Sequence, residues 1–154
     1  MLSHYLTHPI PPVRKHSNRD PQKYKLFKME REFVGTCLYH VVTVEDLQHI
    51  ADHACKAYDV PPAKVTVFKE YGKKPHDGWY ADGVIELNSA YWAQNTCVML
   101  HELGHHIHSA KYPDDTQDHG PAFCGVYAEL LNDYRILPYE CFELLAKKWG
   151  IEIS

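Results

Sequence analysis

No stretch of this 154-residue chain approaches the roughly 18 consecutive apolar residues that a membrane-crossing helix needs, so no membrane span is expected. The opening MLSHYLTHPIPPVRKH has no apolar core behind a basic end, and no secretory signal peptide is expected either. The five cysteines (Cys37, Cys55, Cys97, Cys124, Cys141) contain no CxxC pair, which excludes a zinc ribbon and a thioredoxin-type redox motif. An odd number of scattered thiols without an export signal points to reduced cysteines in a cytoplasmic compartment. Internal repeats and low-complexity tracts are also missing. With 45% apolar and 23% charged residues, what remains is the composition of one soluble globular domain.

Histidine is the residue in excess. Twelve of the 154 residues are histidine, and because imidazole is a common metal ligand, the excess directs attention to a metal site. Charge is unevenly placed as well. Residues 1–31 carry seven basic side chains against two acidic ones, whereas the rest of the chain carries nine basic against eighteen acidic. A basic arm over residues 1–31, rich in proline and histidine, is therefore expected to precede a domain over 32–154. Such an arm can be a solvated extension, or it can dock on an acidic partner or nucleic acid.

Along the domain, FVGTCLYHVV (33–42) reads as a strand or extended lead-in. Thr43 and Asp46 form an approximate capping box, and Val44, Leu47, Ile50, Ala51, Ala54 and Ala57 recur at helical spacing, predicting a helix over 44–58 that the VPP turn closes. AKVTVFKEY (63–71) alternates as a strand, and GWYADGVIELN (78–88) reads as a second strand with a hairpin break at Asp82-Gly83. WAQNTCVMLHELGHHIHSA predicts a long helix over 92–110, a further helix starts near Pro121, and a shorter one occupies 138–149. This order predicts an α+β domain.

The chemistry sits in HELGHHIH, residues 101–108. His101, Glu102 and His105 match HExxH. On a helix, residues four apart face the same way about 6 Å apart, so two imidazoles can bind one metal ion from a single turn. Glu102 lies about 100° round from His101, placed to address a water at the metal without binding the ion itself. A zinc ion lowers the pKa of such a water to about 7, and the carboxylate can take its proton. At this composition, roughly 0.06 chance matches to the pattern are expected.

A catalytic zinc site needs a third protein ligand and an open position. His119, in DHGPAFC on the turn after the active helix, is the first choice. Glu129, on the following helix, is the competitor. His108 lies about 10 Å along the axis from His101, too far to share the ion, and His106 points elsewhere and is expected on the surface. Position 108 is His and position 111 is Lys, so the metzincin pattern is absent. Cys97 is read as a buried apolar residue rather than a fourth ligand, Tyr127 and Tyr134 as core rather than oxyanion donors, and Asp114-Asp115 as a solvated loop that can also gate the cleft.

HELGH, a short polar turn, and HGPAF at a helix start resemble the SprT-like (Spartan-type) zinc metallopeptidases. The resemblance covers about residues 44–135 and rests mainly on those two motifs at matching spacing. It implies a minimal zincin fold, a small antiparallel or mixed sheet packed on the HExxH helix and C-terminal helices. It further implies one catalytic Zn2+ on His101, His105 and His119, Glu102 as general acid/base, a protein or peptide substrate, and GVIELN as the edge strand beside which substrate lies. The chain departs from many such proteins in having no Cys-based zinc ribbon, which removes a usual means of DNA binding. It also looks like the small stand-alone zincins of bacteriophages, for which host cytoplasm or virion are the implied locations. An inert zincin-fold binding module, a structural protein of a larger assembly such as a virus particle, and a zinc hydrolase of non-peptide amides are the competing readings.

Overall fold

The computed structural model describes residues 20–34, 42–68, 78–88 and 96–154. Among them run α1 (Lys23–Val34), α2 (Val44–Ala57), β1 (Lys64–Phe68), β2 (Gly78–Ala81), β3 (Val84–Asn88), α3 (Thr96–Lys111), α4 (Pro121–Asp133) and α5 (Tyr139–Trp149). Five helices and one three-stranded mixed sheet make the described chain α+β, as its sequence order predicts. Two compact units divide it: residues 39–111, and residues 1–38 together with 112–154. Among the described residues, no helix is long and apolar enough to cross a membrane.

In the unit of residues 39–111, the capping box forms as expected. Thr43 Oγ1 accepts from the Asp46 amide, and the Asp46 carboxylate accepts from the Thr43 amide, so two of the orphan donors at the start of α2 are satisfied. Leu47, Ala51, Ala54 and Cys55 form the buried stripe of that helix. Gln48 then ties α2 to the sheet: its Oε1 accepts from the Val65 amide at 2.7 Å and its Nε2 donates to the Ala63 carbonyl at 2.8 Å. A side-chain amide thus satisfies the backbone at the start of β1, as a neighbouring strand would.

Asp82 and Gly83 both take positive φ, 47° and 80°, the two-residue turn whose twist matches that of a hairpin. It joins β2 to β3 antiparallel, while β1 pairs with β3 in parallel, giving the order β1-β3-β2. GVIELN is therefore the inner strand of the described sheet and not its edge, contrary to what the resemblance implies. The edges there are β1 and β2. The sheet packs β1 on α2, and β2 and β3 on α3. The predicted strand over 63–71 is confined to 64–68 among the described residues, and the predicted helix over 92–110 starts, within them, at Thr96. Residues 69–71 and 92–95 lie outside them, as does 35–41 of the predicted lead-in.

The other unit corrects the reading of the N-terminal segment. Residues 23–34 are not an extended arm but the helix α1, which runs across the expected boundary at residue 31. Leu26, Met29, Glu30 and Phe33 are buried at the i, i+3, i+4 and i+7 positions of one face. The basic residues that suggested a solvated extension occupy the other faces, with Lys25 and Lys28 exposed. Residues 1–19, and with them the rest of the expected docking arm, lie outside the described residues.

Long-range ties hold α1 and the residue before it in this unit. Gln22 exchanges two hydrogen bonds with the Glu152 backbone, Lys25 Nζ donates to the Gly150 carbonyl, and Lys148 pairs with Glu32 at 2.7 Å. Beneath them Phe33, Phe123, Tyr127 and Phe142 form an aromatic cluster around the Tyr127 ring. At the end of α5, Gly150 adopts φ 66° and the Ile151 amide returns to the Ala146 carbonyl, a left-handed stop that favours glycine. Gly125 on α4 leaves room for the Ser154 backbone, which a Cβ would overlap.

Two outcomes follow from this packing. Leu26→Ala should lower the free energy of unfolding by about 2–5 kcal/mol in a denaturant titration, because it opens a cavity in a fully buried site. A change within about 0.5 kcal/mol would return α1 to the status of a surface appendage. Burial pushes the Cys124 thiol up to about 12, and the charges of Glu30 and Asp20 push the same way. A folded-state pKa above the unfolded value of about 8.5 means that this contribution to stability is complete below about pH 8. It is lost as pH rises towards about 12. Stability measured from pH 8 upward should accordingly fall, and Cys124→Ala should flatten that fall.

Candidate metal centre

The helix that carries HELGH is buried around most of its circumference, from Cys97 to Leu100 and on through Leu103, Gly104 and Ile107. A helix of that kind fixes its side chains against neighbours on every side, which suits a site that must hold its geometry. His101 is 5% exposed and His105 is half-buried, and their rings stand 5.1 Å apart, centroid to centroid, at 67°. This is the one-turn pairing that the i, i+4 spacing predicts. Tyr80 of β2 lies parallel to the His105 ring, at 11° and 6.5 Å between centroids.

Glu102 is half-buried next to His101. The chain passes close to it at Gly78, the first residue of β2. A Cβ at that position would stand 2.9 Å from Glu102 Cγ, 3.1 Å from its Oε1 and 2.9 Å from Val98 Cγ1. The glycine is what lets the strand run against the carboxylate side chain.

His106, expected on the surface, is buried, because β2 and the VPP turn close over it. Its Nε2 lies 2.6 Å from the Pro61 carbonyl and its Nδ1 3.1 Å from the Tyr80 hydroxyl. A carbonyl can only accept, so Nε2 carries the proton and the tyrosine donates to Nδ1. That hydroxyl also accepts from the Gly83 amide at the hairpin turn. Both ring nitrogens of His106 are thereby committed to holding β2 on its helix. His108 is also buried.

His119 stands on the turn before α4, 6% exposed. Asp20 grips it twice: Oδ1 accepts from the His119 amide at 3.1 Å, and Oδ2 lies 2.7 Å from Nδ1. The His119 carbonyl accepts from Gln22 Nε2 at 3.3 Å and from Cys124 Sγ at 3.5 Å. Phe27 and Phe123 meet the ring edge-on, at 5.4 and 5.1 Å between centroids.

His101, His105 and His119 each bring one ligand atom to within 4.8 Å of the others. They form a group that could hold a metal ion. The donor set suits zinc, since three neutral imidazoles are an established catalytic zinc environment. The surroundings of His119 suit it too, because a carboxylate on one ring nitrogen leaves the other to face an ion. Among the described residues, Cys97, His108 and Glu129 are not in the group. Glu129 is exposed on α4, and Cys97 is a buried thiol. Tyr127 belongs to the aromatic cluster, Tyr134 caps the end of α4, and Asp115 accepts from the Gln117 amide within the turn.

Sequence reasoning missed Asp20, Gln22, Gly78 and Tyr80. Nothing local marks Asp20 or Gln22, whose contacts with His119 bridge about a hundred positions of sequence. Gly78 offers a faint signal as a glycine opening a strand, a place where backbone often approaches something closely.

Comparisons with known protein families, with curated proteins and with solved structures find no match. The resemblance to SprT-like peptidases accordingly rests on HELGH and HGPAF alone, and the structure shows a three-histidine group that could hold a metal ion.

Proposed function

We propose that this chain is a zinc-dependent endopeptidase of SprT-like type built on a minimal zincin fold. The observation that carries the reading is the convergence of His101, His105 and His119 with a glutamate, Glu102, next to the first of them on the same helix. In this reading His101, His105 and His119 hold one zinc ion. When bound, the zinc supplies Lewis acidity, polarising a carbonyl and making water more acidic. Glu102 takes a proton from the attacking water and delivers it to the leaving amine. His101 and His119 are buried, and the Tyr80 ring lies parallel to that of His105. The substrate is an extended peptide, and β2, an edge of the described sheet whose first residue runs close to Glu102, is the strand beside which it lies.

Metal content and cleavage of an unfolded protein, measured on purified variants, test this. Glu102→Gln keeps size and helix but removes the base, so zinc should remain near one equivalent while proteolysis falls by roughly 100-fold or more. His119→Ala should lose both zinc and activity, and Glu129→Ala should keep both. Zinc loss from the Glu129 variant with retention in the His119 variant would overturn the assignment. Wild-type protein that binds zinc yet cleaves nothing would favour the inert binding or structural reading instead.

A separate substitution addresses the strand. Gly78→Ala should retain zinc but lower the turnover rate, because the added methyl displaces the Glu102 side chain. Unchanged turnover would show that this close approach has no part in the reaction.

A further inference from the structure

His119 is held by several hydrogen bonds, most of them from the segment that enters α1. Asp20 and Gln22 flank Pro21 there. Between them they engage the amide, the carbonyl and one ring nitrogen of His119. Gln22 is itself 7% exposed and anchored by both of its polar atoms to the Glu152 backbone, at 3.1 and 2.6 Å. The grip on His119 is thus held from a fixed point and not from a loose end.

The chemistry of the grip is directional. A carboxylate oxygen accepts and does not donate, so Asp20 Oδ2 at 2.7 Å places a proton on Nδ1. A neutral imidazole with its proton on Nδ1 has its lone pair on Nε2. The second bond, from the His119 amide to Oδ1, fixes the carboxylate relative to the backbone that carries the ring. The edge-on contacts of Phe27 and Phe123 hem the ring from other directions. Tautomer and ring direction are then set before any ion arrives.

We infer that Asp20 is a positioning residue for the metal centre: it holds His119 in the Nδ1–H tautomer and so presents Nε2 as the third ligand. The inference rests on the metal reading above and extends it to a segment that composition alone marks as a disposable basic arm. Asp20→Asn is the informative change. The amide keeps the size and can still accept from the His119 backbone, but it places an NH2 group at Nδ1. That group donates to Nδ1 and moves the ring proton to Nε2, the wrong tautomer for a ligand.

The experiment uses the full chain, stripped of metal with a chelator. Nitrogen-15 chemical shifts report which ring nitrogen of His119 carries the proton. Competition with a chromophoric chelator gives the zinc affinity, and the visible spectrum of the cobalt-substituted protein reports ligand geometry. Wild type should show the Nδ1–H form and one tight zinc. Asp20→Asn should shift the ring towards the Nε2–H form, weaken zinc by roughly 10- to 100-fold and alter the cobalt spectrum, while the metal-free melting temperature stays near that of wild type. Lys25→Ala cuts a different tie of the same segment, the one to the Gly150 carbonyl, and should change none of the three signals.

An unchanged tautomer and affinity in Asp20→Asn would overturn the inference. So would an equal loss of zinc in Lys25→Ala, which would mean that any loosening of α1 suffices. Should Asp20→Asn fail to fold, the wild-type tautomer decides, since a proton on Nε2 excludes the role. Wild-type protein that binds no zinc, with a tautomer that still follows Asp20, would overturn the metal reading and leave the link between the two residues standing.

Discussion

Burying an imidazole obliges the fold to find a partner for each ring nitrogen, and the described residues include four buried ones: His101, His106, His108 and His119. How that obligation is met decides what each ring can do. His106 gives one nitrogen to the Pro61 carbonyl and the other to the Tyr80 hydroxyl, so it serves as a polar rivet between β2, the turn after α2 and its own helix. His119 gives Nδ1 to a carboxylate. A carboxylate partner raises the basicity of the opposite nitrogen and fixes its direction, which is what a metal ligand needs and a rivet does not. Two buried histidines, thirteen positions apart, thus differ in the chemistry of their partners.

The same obligation shapes the elements around them. A helix with histidines at 101, 105, 106 and 108 presents polar rings on several faces, and it stays buried only because structure is supplied on each. The hairpin does part of this. Its two-residue turn at Asp82-Gly83 brings Tyr80 back over the helix, and the same tyrosine reaches both His105 and His106. Gly78, four residues before the turn, is the place where the strand comes near enough to touch Glu102. The short strand β2 therefore contributes to the surroundings of Glu102, His105 and His106 without supplying a donor atom to the three-histidine group.

Local chemistry made much of this legible. The capping box at Thr43, the Asp-Gly turn, proline at the first position of α4 and the i, i+4 histidines are each signals confined to a few residues, and each forms as read. The failures share a different origin. The parallel pairing of β1 with β3 passes over the intervening β2 and leaves no mark in either strand, so GVIELN resembles an edge in sequence but is the inner strand of the described sheet. Helix α1 was hidden by its own lysines and arginines, although Leu26, Met29 and Phe33 keep helical spacing beneath them. His106 reads as a surface residue until Tyr80 and Pro61 are placed. Asp20 is 99 positions from His119, beyond any pattern of spacing.

That distance bears on how the site is assembled. The turn over 111–118 is almost entirely exposed, and Gly120 at the start of α4 has no side chain with which to cap the helix. Local sequence thus does little to hold His119 still, whereas His101 and His105 inherit their spacing from one buried helix. The missing constraint is supplied by tertiary contacts, with Asp20 on the amide and ring and Gln22 on the carbonyl. Two of the three histidines are set by secondary structure and the third by long-range packing. The contacts that hold His119 exist only when the segment before α1 is docked. The docking is itself secured by the burial of Leu26, Met29 and Phe33, so the apolar face of a helix that looks like a basic tail is the physical condition for the grip on His119.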